Sequence, residues 1–581
     1  MNPRNHFPGW GWDIAWLTLL GSLSAWWCLS AGAVLGVTFD EPFYLDKGLQ
    51  AWRSGSNKAL MRAGTMPLPV DLQTLPLFLW EQQRGIPWNV YVDLPEILPV
   101  ARAMNLPFWW LLLGYGMLWG RLLGGPWAGR LTAGFLASDP NLLGHAALAT
   151  TDIALSAMVL VATYHFLRGR DQPWVWRVLL PGIGFGFALA TKASALPYVP
   201  LLAGIFGLWH LYEQGRFVGQ DRTGFRATLF RYWSVTSQLR RDLAAIIGIG
   251  MVTVFAYCGC DWQTEPTFIA WAEGLPPGPL HDGVCFVAKN LCIFTNAGEG
   301  LIQQIKHNIR GHHGAYLLGG WYPRAVWYYF PAALTIKLPD ATLALLLVVL
   351  LTRPRSLASA AGWAVLALLL FSLNTRVQIG IRLVFPLIVF LHVMLAVAVG
   401  RGQRRPERLV DEDSALVAAP SRSGWRLAFA GLCLAVTAVE AGLVWPDGVG
   451  YANRLSGGSE FSHHLLSDSN SDWGQGLPEL KTWWRDHGQP MLKVWYYGTD
   501  PAILFHPFLY FPVHALPERS PQVLRQEVGT GYLAVSDTLL RNNPDRRADN
   551  LALIDWLNQQ PPVDHVATFT IFRFLTDAAG P

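Results

Sequence analysis

Long apolar runs separated by short polar ones occupy most of the chain. The first covers 14–37 and carries no charged residue. A signal-peptide core is only about 7–15 residues long, so this run predicts a membrane-spanning helix, although Ala31-Gly32-Ala33 resembles a cleavage site. Ten further runs predict spans at 105–123, 127–143, 153–167, 178–190, 196–212, 243–257, 341–351, 358–373, 383–399 and 427–445. Several fall short of the roughly 20 residues that a straight span needs, so their ends must extend into flanking sequence. After residue 445 the pattern changes. Pro, Gly and charged residues punctuate short strand-like runs at 492–497, 531–535 and 566–572, and helical spacing covers 477–486 and 550–558. This predicts a small α/β domain of roughly 130 residues, an ordinary domain size. No internal repeat is visible.

Composition agrees with a membrane protein. The 581 residues are 52% hydrophobic and only 14% charged, against roughly 25% charged in a soluble domain. The 28 tryptophans suit membrane interfaces. A net charge of +4 is too small to suggest nucleic acid. The 15 histidines and six cysteines show no metal-finger spacing.

Basic residues set the orientation, because cytoplasmic loops collect Lys and Arg. Arg168, Arg170 and Arg177 form one cluster. Arg216, Arg222, Arg226, Arg231, Arg240 and Arg241 form a second, and Arg353 with Arg355 a third. Arg401, Arg404, Arg405, Arg408 and Arg422 form a fourth, within a polar stretch, 401–423, that reads as a flexible loop. With about eleven spans all four clusters fall on one side, which is then cytoplasmic together with the N-terminus. Segments 38–104, 259–340 and the tail lie opposite. The expected division is a transmembrane domain at 1–445, with outer loops 38–104 and 259–340, and an extracytoplasmic α/β domain at 446–581. Cys258, Cys260, Cys285 and Cys292 share one outer region, where disulfides can form with their pairing left open. Cys28 and Cys433 sit in apolar runs and read as inert packing residues.

Polar residues that could do chemistry gather at the outer ends of spans. Asp40-Glu41 follows the first span. It reads either as a charged helix stop or as a general base beside an orienting acid. Asp152 follows Thr150-Thr151 at a helix start, where an Asp is a common cap. Asp139-Pro140-Asn141 and His145 lie just before it. Lys192, Lys337, Arg376 and Arg382 are cations near the outer boundary. Each can snorkel, and together they could hold an anionic headgroup such as a phosphate. His312-His313 and His463-His464 are adjacent pairs, a spacing unlike zinc sites, and read as exposed loop residues. No metal-ligating set is expected.

These segments resemble a known family. Thr38-Phe39-Asp40-Glu41-Pro42, followed by Ala51-Trp52-Arg53-Ser54-Gly55, resembles the first outer loop of the protein O-mannosyltransferase and lipid A aminoarabinose transferase group of C-type glycosyltransferases. The segment from Ser138-Asp139-Pro140-Asn141 through His145 to Thr150-Thr151-Asp152 is similar to that group's segment between the third and fourth spans. Leu189-Ala190-Thr191-Lys192, Ala315-Tyr316-Leu317-Leu318-Gly319, Trp327-Tyr328-Tyr329-Phe330-Pro331, Lys337-Leu338-Pro339 and Ile379-Gly380-Ile381-Arg382 are similar too. Asp468-Ser469-Asn470-Ser471-Asp472-Trp473-Gly474-Gln475 resembles a tail motif of uncharacterised bacterial members.

The resemblance implies a polytopic α-helical C-type fold in the cell membrane and an inverting transfer. A sugar would move from a polyprenyl-phosphate carrier to a hydroxyl acceptor on protein, lipid or glycan. Asp40 would be the base and Glu41 would orient the acceptor or Asp40. Lys192, Lys337 and Arg382, with Asp152 and His145, would line the donor phosphate and substrate site. No nucleotide or other cofactor is then required, although a divalent metal has room in the scheme. Membrane lipids are partners and nucleic acid is not. The sequence departs from the family at Thr65-Met66-Pro67-Leu68-Pro69, where relatives carry a polar residue before two prolines; this puts acceptor or metal contacts there in doubt. Two other readings are a transporter or flippase, which would place charges near mid-membrane in broken helices, and a non-catalytic envelope glycan assembly protein.

Overall fold

The computed structural model describes residues 10–217, 231–260, 262–292, 295–311, 314–400, 424–545 and 547–574. The expected flexible loop 401–423 with its arginines Arg401, Arg404, Arg405, Arg408 and Arg422, the arginines Arg222 and Arg226, and the pair His312-His313 lie outside these residues.

Every predicted span coincides with a helix. They are Trp10–Val34 (α1), Leu106–Gly124, Pro126–Ser138, Asp152–Arg168, Val175–Thr191, Ala195–Glu213, Ser237–Cys258, Asp340–Thr352, Ala360–Ser372, Phe385–Gly400 and Gly424–Leu443. Among the described residues six stretches are long and apolar enough to cross a membrane unaided. A seventh forms if Tyr329–Lys337 and Asp340–Thr352, bent by 113°, are taken as one span. Pro126–Ser138 and Ala360–Ser372 have 13 residues and Asp152–Arg168 has 17. At 1.5 Å per residue these reach roughly 20–26 Å, short of a hydrocarbon core of about 30 Å. The chain is a multi-pass membrane protein.

Burial separates inner from outer helices. Every residue from Phe385 to Val399 is buried, which makes Phe385–Gly400 the axis of the bundle. Leu19, Leu23, Trp26 and Leu29 of α1, and Leu432, Val436 and Val439 of Gly424–Leu443, are exposed and present apolar faces suited to lipid. At the end of α1 away from Asp40, Asp13 pairs with Arg121 and Arg130. Asp242, in Ser237–Cys258, pairs with Arg170 at 3.0 Å and Arg177 at 3.1 Å. Arg170 and Arg177, expected only as topology markers, thus also neutralise a buried carboxylate.

Segment 38–104 is largely helical, with Glu41–Ser54 (α2), Lys58–Arg62, Leu68–Arg84 and Val90–Ala103. Segment 259–340 adds Pro266–Glu273, Pro279–Asn290, Thr295–Arg310 and a hairpin of β1 (Ala315–Leu317) and β2 (Gly320–Tyr322). All six cysteines are free thiols.

The tail contains a five-stranded sheet of β3 (Leu492–Trp495), β4 (Leu509–Tyr510), β5 (Gly531–Ser536), β6 (Asp564–Val566) and β7 (Phe569–Phe574), in the order β4-β3-β5-β7-β6. β3 runs parallel to β4 and β5, while β7 is antiparallel to β5 and β6. Successive side chains point to opposite faces of a strand. Val494, Ala534 and Ile571 therefore pack on one face with Leu480 and Trp484 of helix Leu477–Asp486. Trp495, Leu533, Val535 and Phe572 pack on the other with Leu524, Leu553 and Leu557. The strands predicted at 492–497 and 531–535 and both predicted helices are present, whereas 566–572, expected as one strand, spans the turn between β6 and β7. The two-residue strand β4 and the helix Pro521–Val528 carry too short a pattern to stand out in the sequence.

Between Gly424–Leu443 and the sheet, residues 466–476 run as a buried strap of turns, with one 3₁₀ turn at Asp468–Asn470, against the ends of the membrane helices. Two glycines make room for it. A Cβ on Gly36 would sit 1.9 Å from the Gln475 carbonyl oxygen, and one on Gly380 would sit 2.3 Å from Ser469 Oγ.

Candidate functional site

Four charged side chains from four elements form an alternating row. Asp40 immediately precedes α2 without capping it. Its Oδ2 lies 3.1 Å from Arg382 Nη1, and Tyr44 OH donates to the same oxygen at 3.5 Å. Arg382 stands in the 3₁₀ turn Ile381–Val384 that leads into Phe385–Gly400. The same Nη1 lies 3.6 Å from Oδ2 of Asp152, at the start of helix Asp152–Arg168. Lys192, just past the helix Leu180–Thr191, donates from Nζ to Asp152 Oδ1 at 2.5 Å.

The row is buried in the middle and open at its ends. The Asp152 side chain is 0% and Arg382 9% exposed, against 26% for Asp40 and 21% for Lys192. Among the described residues nothing donates to Asp40 Oδ1, and Arg382 Nη2 donates to nothing. A free carboxylate oxygen thus lies beside a guanidinium with a spare N–H face. The first can take a proton and the second can bind an anion.

The strap fixes Arg382. Ser469 Oγ accepts from Arg382 Nε at 2.9 Å and donates to Ile379 O at 2.7 Å. The Trp473 ring lies 4.1 Å from the guanidinium carbon, a cation–π contact. Asn470 Oδ1 accepts from Ile381 N at 3.0 Å. Asp468 lies behind, accepting from Tyr497 OH at 3.1 Å, and burial pushes its carboxyl up to about 6. Asp472 accepts from Thr538 N at 2.8 Å and Gly474 N at 3.1 Å, which fastens the strap to the sheet side of the tail.

The remaining candidates lie around this row with different tasks. Glu41 is fully buried and its carboxylate accepts four bonds. Arg102 Nε and Nη2 donate at 2.8 and 2.6 Å, and Thr38 N and Ala149 N each donate at 2.9 Å. Arg102 also donates to the carbonyls of Gly32, Leu35 and Gly36 at the end of α1. Burial opposes ionisation of Glu41, but Arg102 and the two backbone N–H groups outweigh it and hold the carboxyl below its ordinary value. Glu41 therefore locks the chain on either side of Asp40 and has no oxygen left for a ligand.

Lys337 is 1% exposed and donates to Val449 O at 2.8 Å and Asn470 O at 2.6 Å. It ties the strap down and does not join the row. His145 is 2% exposed, flanked by the rings of Phe385 and Trp473. Neither ring nitrogen has a hydrogen-bond partner among the described residues. Burial pushes its imidazole down to about 3, with nearby Arg382, Lys337 and Lys192 adding to the effect and Asp152 opposing it. Asp139 caps Pro140–Ala146 and pairs with His392 at 2.9 Å. Arg376 stays exposed, bonded to Ile309 O.

Arg102, Tyr44, Ser469 and Trp473 escape sequence reasoning as parts of the site. The only signal for the last two was their place in the 468–475 motif; Arg102 lies 61 residues from its partner. A cavity of about 920 Å³ lies beyond the strap, and none of the four charged residues lines it.

No family model and no curated protein matches the chain. Among solved structures, the chain is similar to ArnT from Cupriavidus metallidurans bound to undecaprenyl phosphate. Identity is 14% and the TM-score 0.44, over 98% of this chain and 99% of that one. It is also similar to the same protein in the apo state, at 15% identity and a TM-score of 0.42 with the same coverage.

Proposed function

We propose that the protein is an inverting glycosyltransferase. It moves a sugar from a polyprenyl-phosphate carrier to a hydroxyl acceptor at the extracytoplasmic face of the cell membrane. The observation that carries this reading is the row Asp40–Arg382–Asp152–Lys192, which sets a carboxylate with one free oxygen beside Arg382, and a second cation, Lys192, at the row's other end.

Asp40 Oδ1 takes the proton of the acceptor hydroxyl as that oxygen attacks the anomeric carbon. The bond from this carbon to the phosphate oxygen breaks, and the polyprenyl phosphate leaves with the bonding electrons. Because the leaving group is already a phosphate, it needs cations more than an acid. Arg382 Nη2 and Lys192 Nζ supply them. Asp152, between the two, keeps both cations in place before the donor arrives. Glu41 acts through the backbone by holding the turn that carries Asp40.

The test is sugar transfer by the purified protein in nanodiscs, using radiolabelled polyprenyl-phosphate sugars and a membrane and cell-wall extract as acceptor. Wild type is expected to label an acceptor, and Asp40→Asn to lower kcat by about 10²–10⁴-fold while still binding donor. Equal turnover in Asp40→Asn removes Asp40 as the base. Donor binding without transfer by wild type favours a carrier-binding assembly protein, and absence of both favours a transporter.

A further inference from the structure

The cavity of about 920 Å³ beyond the strap has a composition unlike the charged row. It lies between the end of Gly424–Leu443, the loop that follows, and the edge of the tail sheet. His463, Asp537 and His565 meet on its wall. One comes from the single-turn helix Ser462–Leu465, one from the start of Asp537–Arg541 and one from β6. One ligand atom from each lies within 4.8 Å of the others.

Three features distinguish this cluster from a chance surface grouping. His463, which sequence reading leaves as an exposed loop residue, is only 8% exposed, because His565 stacks on it at 4.1 Å between ring centroids. Its ring lines the cavity, and among the described residues it is held by the His464 and His565 rings alone, which leaves a ring nitrogen free to ligate. Asp537 is 2% exposed, and its orientation is fixed by a 2.7 Å bond from Thr570 Oγ1 to Oδ1. Its other oxygen, Oδ2, lies 2.7 Å from His565 Nε2. An oriented carboxylate, with an imidazole on it and a second imidazole stacked beside it, is the arrangement that metal sites build from ligands and the groups hydrogen-bonded to them.

We infer that His463, Asp537 and His565 form a zinc-type divalent metal site with one coordination position open to the cavity. Two imidazoles and one carboxylate suit zinc or a neighbouring transition metal rather than calcium or magnesium, which prefer all-oxygen shells. With zinc–ligand bonds of about 2.0–2.2 Å, tetrahedral ligand atoms lie roughly 3.4 Å apart, so side-chain rotations of about 1 Å bring the three onto one ion. Binding displaces the proton shared by His565 and Asp537. Three protein ligands leave a fourth position, and the cavity, with Arg541 and Arg454 also on its wall, gives that position room for an oxygen ligand.

The test uses the full-length, tag-free protein in detergent, stripped with a chelator. Zinc uptake is measured by competition against a chromophoric chelator, and the cobalt(II) form by visible spectroscopy. One zinc per chain and the strong visible bands of four-coordinate cobalt are expected. His463→Ala and Asp537→Asn should weaken binding by at least about tenfold, and His464→Ala should bind as wild type does. His463→Gln serves where the alanine variant fails to elute as a folded protein. No uptake by wild type overturns the site. So does unchanged affinity in the His463 variants, or a six-coordinate cobalt spectrum.

Discussion

Asp40 and Glu41 are neighbours with opposite surroundings, and that difference decides what substitution does to each. Asp40 keeps an open oxygen, so Asp40→Asn should spare folding and strike turnover, as measured by transfer. Glu41 is wholly committed to Arg102 and two backbone N–H groups. Glu41→Gln leaves a buried guanidinium without its counter-charge, and should cost about 3–5 kcal/mol of stability, read as a lower unfolding temperature in detergent. The pH dependence has a definite sign. Because the folded value of Glu41 lies below its ordinary 4.5, its stabilisation is complete above that ordinary range and is lost as pH falls through the folded value. The acid limb of wild-type unfolding should therefore flatten in Glu41→Gln; an unchanged limb would mean that another carboxyl controls it. The acidic pair was legible in the sequence, because two carboxylates at a span end are unusual. The division of labour was not, because Arg102 reaches Glu41 only after Val90–Ala103 folds back over the end of α1.

The strap 466–476 is the element that turns scattered polar residues into a site. It contributes Ser469 and Trp473 to Arg382, Asn470 O to Lys337, and Asn470 Oδ1 to the turn carrying Arg382. Ser469→Ala leaves the buried Arg382 Nε without an acceptor, a loss of about 1–3 kcal/mol. Freed from that restraint, the guanidinium should bind donor less well, so KM for donor should rise while the sheet of the tail stays folded by circular dichroism. An unaltered KM would show that Trp473 and the two carboxylates hold Arg382 unaided. Sequence patterning recovers helices and strands because hydrophobic period reports burial against a large face. The strap has no period, and its burial comes from polar contacts with residues far along the chain, such as Arg382, Lys337, Thr538 and Phe39, so nothing local announces it. The same holds for His463, Asp537 and His565, which lie on three separate short elements.

At the scale of the molecule, one set of contacts constrains topology. Phe39 N donates to Trp473 O at 2.9 Å, Thr499 Oγ1 donates to Phe39 O at 2.7 Å, and the Phe39 ring stacks on Tyr497 at 5.2 Å. Residues just after α1 and residues of the tail therefore share one face of the membrane. If α1 crosses, its start lies on the other face, with Arg121, Arg130, Arg170 and Arg177 grouped around Asp13 and Asp242. The excess of basic residues there is what the proposed orientation requires of a cytoplasmic face, with the charged row and the tail on the outside. A polyprenyl-linked donor suits this placement, since its phosphate would sit at the headgroup level where Lys192 and Asp40 are open. Alkaline phosphatase fused after Pro581 should thus be active in a bacterial host, whereas phosphatase inserted between Glu213 and Arg231 should be inactive. The reverse pattern would put the row in the cytoplasm, where nucleotide-activated sugars are also available, and would remove the reason for a lipid-linked donor. Activity at both positions would mean an even number of crossings between them, which leaves the shared face of Phe39 and Trp473 intact but reassigns the short helices Asp152–Arg168 and Ala360–Ser372 as re-entrant rather than crossing.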